Sequence, residues 1–418
     1  MCDRMGMLGL IQRSLQRTWR MSSVCLMWVV LSIHAQAQPG PATKPLVLLV
    51  SIDGFKPAYV DKVNTPHLFQ LQQSGAHARG LLSSFPSLTF PNHLSMVTGQ
   101  TPDHHGIVNN TMTDPELPGT FSLGSRDVLN DSRWWSQAKP IWLTLHAQGK
   151  RSSTLFWPGS EVPIQGIQPD DWLPYQHAMS HESRIQTLMN WLKRPSEDRA
   201  DFATLYFSDV DSAGHQHGPD SAEVASASHA VDRSIGKLIQ ELKASGLWAD
   251  TTLIIASDHG MRKVDHLISV AHVLPARSKA QWEWMGPLAG IRLRGEDAAS
   301  IWSQLAQLPH AQCWPKAQLP QRFKFGQHPR VPDIVCLAEP GYAMNVDPSR
   351  KGPLGQHGYD PIDESMWGIL IASGHRIAPM SADLVDNVDL YPFLCRLLGI
   401  QAELNDGNPN TLSRWIRP

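Results

Sequence analysis

Four runs of consecutive apolar residues stand out along the chain: Leu46–Ile52, Phe202–Phe207, Thr252–Ala256 and Trp367–Ala372. Short runs without polar alternation suit strands buried on both faces. Between the second and third, Val231, Ile235, Leu238, Ile239 and Leu242 recur at helical spacing. Ile185, Leu188, Met189 and Leu192 do the same ahead of the second run. Strand alternating with helix predicts an α/β architecture with a mainly parallel central sheet. From about 275 to 350 the pattern changes to short apolar pieces among Pro, Gln and Arg. That stretch reads as a small inserted or peripheral subdomain.

The first 45 residues follow neither pattern. Arg4, Arg13, Arg17 and Arg20 precede a mostly apolar stretch from Val24 to Ile33, and Ala35-Gln36-Ala37 offers small residues for cleavage. Residues 1–37 read as a secretory signal peptide, too short in its apolar part to span a bilayer comfortably; a short membrane anchor is the alternative. Residues 38–45 then form a proline-rich linker, and 46–418 the catalytic body. Export to the periplasm or medium is the expectation, with no membrane association after cleavage. In an oxidising compartment Cys313 and Cys336 can pair across a short loop. Cys395 lies in an apolar helical stretch and suits a buried thiol. The net charge of −2 gives no reason to expect a nucleic-acid polymer as partner.

Candidate chemistry gathers where the apolar runs end. Asp53-Gly54 follows the first run, Asp209 and Asp211 follow the second, and Asp258-His259-Gly260 follows the third. In open α/β sheets the carboxyl ends of strands carry the site. Asp211 and His215 are four residues apart, with Gly214 available for a tight turn, and His357 lies in Gly355-Gln-His-Gly-Tyr-Asp360. Spacing to His215 favours Asp211 over Asp209. Carboxylates with imidazoles and no thiolates suit zinc or another borderline divalent ion, and two such groupings suggest two ions. A nucleophile candidate lies in Ser83-Ser-Phe-Pro-Ser-Leu-Thr-Phe-Pro-Asn-His93. Pro91 suits a first helical turn, which puts Thr89 at or just before a helix start, where free N–H groups and the dipole favour an anion. Thr89 or Ser87 as a simple helix cap is the competing reading.

These residues resemble the nucleotide pyrophosphatase/phosphodiesterases of the alkaline phosphatase superfamily. The resemblance rests on Val50-Ser-Ile-Asp-Gly-Phe55, Phe85-Pro-Ser-Leu-Thr-Phe-Pro-Asn-His93, His105-Gly-Ile-Val-Asn-Asn110, Trp157-Pro-Gly-Ser160, Asp211-Ser-Ala-Gly-His215, Ser257-Asp-His-Gly-Met261 and His357-Gly-Tyr-Asp360, all in the family's order. It implies an alkaline-phosphatase-like three-layer sandwich and two zinc ions. Asp53, Thr89, Asp258 and His259 would hold one ion; Asp211, His215 and His357 would hold the other. Thr89 would attack phosphorus and carry a phospho-threonine ester, with Asn110 hydrogen-bonding a phosphoryl oxygen. Phe90, Tyr175 and Tyr206, and more weakly Leu123, would line a nucleobase site, although Tyr206 also suits a core aromatic. A small phosphodiester, favoured to be a nucleotide, is the implied substrate. Choline or lysophospholipid diesters, a phosphomonoester, or a zinc-stabilised binding protein are the alternatives. No Gly-x-Ser-x-Gly is present, which disfavours a serine nucleophile elbow. No complete sulfatase-type nucleophile motif is present either.

Overall fold

The computed structural model describes residues 44–295, 298–347, 349 and 352–418. The expected signal peptide, and all of the linker but its last two residues, lie outside them. Eight strands build the central sheet: β1 (Leu46–Ile52), β2 (Ala76–Leu82), β3 (Ser152–Leu155), β4 (Asp171–Leu173), β5 (Phe202–Phe207), β6 (Thr251–Ala256), β7 (Leu370–Gly374) and β8 (Met380–Asp386). Their order is β8-β2-β7-β6-β1-β5-β3-β4. Every neighbouring pair is parallel except the two made by β7, which runs antiparallel to both β6 and β2.

β1 shows why its run is continuously apolar. Val47 and Leu49 point into one hydrophobic cluster, while Leu46, Leu48, Val50 and Ile52 point into another. Successive side chains of a strand alternate between faces, so a strand with a helical layer on each side is apolar throughout except where a buried polar group is hydrogen-bonded, as Ser51 is to His93 at 2.8 Å. One layer contains α1 (Pro66–Ser74), α3 (His181–Leu192) and α5 (Ala222–Ala244), which bury Leu68, Leu71, Leu188, Val231, Ile235 and Leu238. On the opposite face lie α2 (Thr89–Thr98) and α6 (Leu390–Leu398), which bury Leu94, Val97, Leu394 and Leu397. The short α4 (Asp209–His217) follows β5 directly. The result is the α/β, alkaline-phosphatase-like three-layer arrangement.

The last of the four apolar runs is displaced from its expected bounds. The continuous ladder begins at Leu370; ahead of it Gly368 makes an isolated bridge to Leu81 and passes so close to Ser257 that a Cβ there would lie 2.3 Å from its carbonyl oxygen. Trp367 instead closes a short 3-10 turn and donates its indole N–H to Pro361.

Between β6 and β7 lies a separate four-stranded antiparallel sheet, ordered Gln281–Trp284, Leu288–Arg292, Ile334–Ala338, Ala311–Pro315. Ile291, Ile301, Leu305, Ile334 and Cys336 form a cluster of their own beneath it. Cys313 and Cys336 face each other on adjacent strands and form a disulfide, while Cys395 is a buried free thiol. No helix among the described residues is long and apolar enough to cross a membrane.

Candidate active site

Three adjacent parallel strands deliver the acidic residues to one place. Asp53 follows β1, Asp258 follows β6, and Asp211 sits in the first turn of α4 beyond β5. Gly54 lets these segments meet: its φ is +67° and a Cβ on it would stand 3.0 Å from Asp211 Cα. Asp211 and His215 share one face of α4 at i,i+4 spacing, with Nε2 3.4 Å from Oδ1. Gly214 is helical rather than part of a tight turn. It is small because Met261 packs against it, at 3.0 Å from where a Cβ would be. Asp209 turns away and pairs with His181 at 3.0 Å.

Two nests of ligand-type atoms result. Asp53, Asp258 and His259 form one, and Asp211, His259 and His357 the other, with the donor atoms of each set within 4.8 Å of one another. His215 stands at the rim of the second, half exposed, its ring 5.0 Å from that of His357. His259 and His357 stack at 3.6 Å.

The imidazoles are oriented by the backbone. Nδ1 of His215, His259 and His357 lies 2.8–2.9 Å from the carbonyls of Gly355, Gly260 and Ser87. A carbonyl only accepts, so each Nδ1 carries a proton and each Nε2 is turned inward toward the carboxylates. Burial, and then the neighbouring imidazoles His259 and His215, push His357 well below its ordinary value.

The carboxylates are crowded. Burial raises Asp53, and the charges of Asp258 and Asp211 raise it further. Burial also opposes charge on Asp258, but the imidazoles of His259 and His93 outweigh it and hold that carboxyl well below the usual range. Burial lowers His259, and the carboxylates of Asp258, Asp53 and Asp211 more than reverse this, bringing it to about 10. Asp53 Oδ1, Asp211 Oδ1 and Asp258 Oδ2 are buried yet make no hydrogen bond. Buried anionic oxygens without partners are strongly unfavourable unless a cation meets them. Oxygen and imidazole donors of this kind fit a borderline divalent ion.

Thr89 is the first residue of α2, and it caps nothing: the N-cap position is Leu88, with no side-chain bond to the helix start. Its Oγ lies 3.2 Å from His259 Nε2. Ser87 donates to Tyr359 O and is no cap either. The helix start offers fewer N–H groups than expected, since Pro91 has none and Phe90 N–H is taken by Asn110 Oδ1 at 2.8 Å. That bond turns the Asn110 NH2 away from the backbone and frees it to donate elsewhere.

Beside Thr89 opens a cavity of about 260 Å³ walled by Phe90, Leu123, Leu129, Trp135, Phe156, Trp157, Tyr175 and Tyr206, with Arg126 and Glu161 at its polar side. The four sequence-predicted lining residues differ in role. Phe90 and Tyr175 are half-buried, and Leu123 is 48% exposed. Tyr206 is buried and donates its hydroxyl to Asp53 Oδ2 at 2.6 Å. Burial and the Asp53 carboxylate push its phenol well above its ordinary value, so it remains a donor.

Sequence reasoning missed several contributors. His93 is fully buried, donates from Nδ1 to the Thr89 carbonyl at 2.9 Å and accepts from Ser51 at 2.8 Å. Its i,i+4 spacing from Thr89 was the available signal. Ser83 donates to the Asp258 carbonyl, and Glu161 accepts from Tyr175 N–H. Trp135, Phe156 and Leu129 come from loops and short turns with no periodicity to read. Phe156 also holds φ at +67°, uncommon for an aromatic residue.

An alkaline-phosphatase-like sheet bearing paired acid–imidazole nests and a hydroxyl at a helix start defines a hydrolase-type site. The chain belongs to the type I phosphodiesterase / nucleotide pyrophosphatase family, whose model matches residues 47–360. It is 33% identical over 382 residues to a bis(5'-adenosyl)-triphosphatase of Xenopus laevis, covering 90% of this chain and 83% of that one. It is 34% identical over 366 residues to human ectonucleotide pyrophosphatase/phosphodiesterase family member 5, covering 87% and 76%. It spans only 44% of mouse family member 1, at 33% identity over 92% of this chain. Among solved structures, murine family member 5, as an inactive Thr-to-Ala variant in complex with AMP, superimposes with a TM-score of 0.85 at 32% identity, covering 89% of this chain and all of that one.

Proposed function

We propose that the protein is an exported, two-zinc nucleotide phosphodiesterase that releases a nucleoside monophosphate through an ester on Thr89. The observation that carries this is the position of Thr89 Oγ, 3.2 Å from His259 Nε2, between the carboxylate nests and the aromatic cavity. Zinc ions on Asp53, Thr89, Asp258 and His259 and on Asp211, His215 and His357 would supply Lewis-acid charge to the attacking and leaving oxygens. The chain's own residues do the rest. Thr89 Oγ gives its proton to solvent and forms an O–P bond, while the bond from phosphorus to the leaving oxygen breaks and its electron pair departs with that oxygen. Asn110 Nδ2 donates to a phosphoryl oxygen, its amide orientation fixed by Phe90 N–H. Phe90 and Tyr175 present aromatic faces to a base, and such stacking is tolerant of base identity. Water then cleaves the threonine ester. The AMP held by the murine relative, and that protein's inactivity with alanine for threonine, support both the substrate class and the nucleophile.

Thr89→Ala tests the reading. Hydrolysis of a nucleoside-monophosphate nitrophenyl ester should fall at least about a thousandfold, while the variant still binds metal and AMP. Near-normal turnover would remove Thr89 as nucleophile. Running a choline phosphodiester and a simple phosphate monoester in parallel ranks the substrate classes, and preference for either over the nucleotide ester would overturn the assignment.

A further inference from the structure

Tyr175 presents its ring from an irregular segment. Residues 174–180 form neither strand nor helix between β4 and α3. The Tyr175 main chain is tied on one side to Glu161, through its N–H at 2.6 Å, and on the other to the exposed Arg126, through its carbonyl at 3.0 Å.

The deeper anchor is Arg184, which is only 2% exposed. Each hydrogen bond from its guanidinium goes to a main-chain carbonyl. Nε donates to Met179 at 3.0 Å, one terminal nitrogen to Tyr206 at 2.9 Å and the other to His177 at 3.4 Å. Its Cζ also lies 5.3 Å from the centre of the Phe156 ring and 5.9 Å from that of Phe207. Phe156 in turn meets the Tyr175 ring edge-on at 5.3 Å. One guanidinium therefore joins three walls of the aromatic cavity: the segment that carries Tyr175, the Tyr206 main chain and the Phe156 ring.

This placement is unfavourable in itself. Arg184 lies near the start of α3, the end of a helix whose dipole repels a cation. Asp209, the acid that feels its charge, pairs instead with His181 at 3.0 Å. A buried charge of this kind is commonly replaced by an apolar side chain without loss of stability. What an apolar side chain lacks is a rigid planar fork of donors, and three carbonyls on two separate segments require one.

We propose that Arg184 is a positioning residue for the base site: it fixes the Tyr175 ring against the cavity and so sets how strongly the protein prefers diesters that carry a nucleobase over diesters that do not. The inference rests on the nucleotide reading of the aromatic cavity. Arg184 touches neither the nests nor Thr89, so its effect falls on recognition and not on the bond-breaking step.

The test divides kcat/KM for a nucleoside-monophosphate nitrophenyl ester by that for methyl nitrophenyl phosphate. Both release the same nitrophenolate, so the ratio reports only the group retained on phosphorus. Arg184→Lys keeps the cation but cannot span the carbonyls; it should lower the ratio about tenfold, part of what a stacked base contributes. The loss should appear in KM for the nucleotide ester, with kcat for both esters near wild type. Partial misfolding lowers both substrates in proportion and leaves the ratio alone. Arg184→Gln, neutral and with two N–H donors, replaces the lysine variant should that one not fold. An unchanged ratio in a folded variant, a loss carried by kcat of both esters, or failure of both variants to fold would give Arg184 a purely structural role and overturn the proposal. The same ratio can be read without turnover, from calorimetric affinities for AMP and ribose 5-phosphate. Equal affinities in the wild type would refute the nucleotide reading itself, whereas a wild-type preference that survives in the variants refutes only the role of Arg184.

Discussion

Replacing Tyr206 with Phe separates two roles that one residue can hold. As a nucleobase platform, Tyr206 would act through its ring. As a support for Asp53, it acts through its hydroxyl, which donates to Oδ2 at 2.6 Å. Phenylalanine keeps the ring, with its edge contacts to His93 at 5.3 Å and Tyr175 at 5.9 Å. It deletes only the donor. Asp53 Oδ1 already lacks a partner, so the variant leaves both oxygens of a buried carboxylate unsatisfied and the group free to rotate. A hydrogen bond to a charged acceptor contributes about 1.5–3 kcal/mol. Losing a support of this kind lowers metal affinity or activity about 10- to 100-fold. Zinc affinity, measured by competition with a chromophoric chelator, should weaken within that range, and kcat at subsaturating zinc should fall with it. KM for the nucleotide ester at saturating zinc should change less than about threefold. If zinc affinity and kcat hold while KM rises tenfold, the hydroxyl has no such role and the ring is a base platform.

Other outcomes follow from the same geometry. Removing metal with a chelator should abolish hydrolysis, and adding zinc should restore it; full activity in the stripped protein would refute the metal reading. His105 is fully buried, with Nε2 3.2 Å from the Pro91 carbonyl and Nδ1 accepting from Ile107 N–H, and burial pushes it down to about 3. Its neutral form is therefore native. Above pH 6.5 neither state is protonated there and no stability is lost; below it the unfolded chain takes up a proton that the folded protein refuses. Stability should drop by about 1.4 kcal/mol per pH unit from this group, or about 2 kcal/mol at pH 5. Denaturant unfolding at pH 7 and pH 5 reads this, and an acid limb equally steep in His105→Gln would clear the histidine. Arg330 is buried against Asp114 at 2.6 Å and the carbonyls of Gly106 and Trp134 at 2.7 Å. Arg330→Met should destabilise the fold by about 3–5 kcal/mol, as removal of one partner of a buried pair does; a melting temperature within a degree of wild type would contradict this.

The parts of the fold that sequence reveals are those with two buried faces. β1, β5 and β6 announce themselves because both their faces are buried and charged residues are absent from them. β2 and β8 escaped notice because Arg79 and Asp383 reach outward from them and interrupt the apolar pattern. The acidic and imidazole residues were legible from their positions after strands. Their orientation was not, since it depends on carbonyls of Gly355, Gly260 and Ser87 whose proximity no spacing encodes. The walls of the aromatic cavity were legible only at Phe90, Leu123, Tyr175 and Tyr206. Trp135 and Phe156 reach it from a 3-10 turn and a strand end with φ at +67°.

The carbonyl-anchored imidazoles bear on how the protein matures. Rings held by main-chain contacts need little reorientation to receive an ion, while the buried oxygens of Asp53, Asp211 and Asp258 still need its charge. An ion entering such a cradle has no ligands to recruit from disorder and repays little conformational entropy. Exchange of one divalent ion for another can then proceed on the finished protein, and the occupant is set by the surrounding ion pool as much as by the cradle.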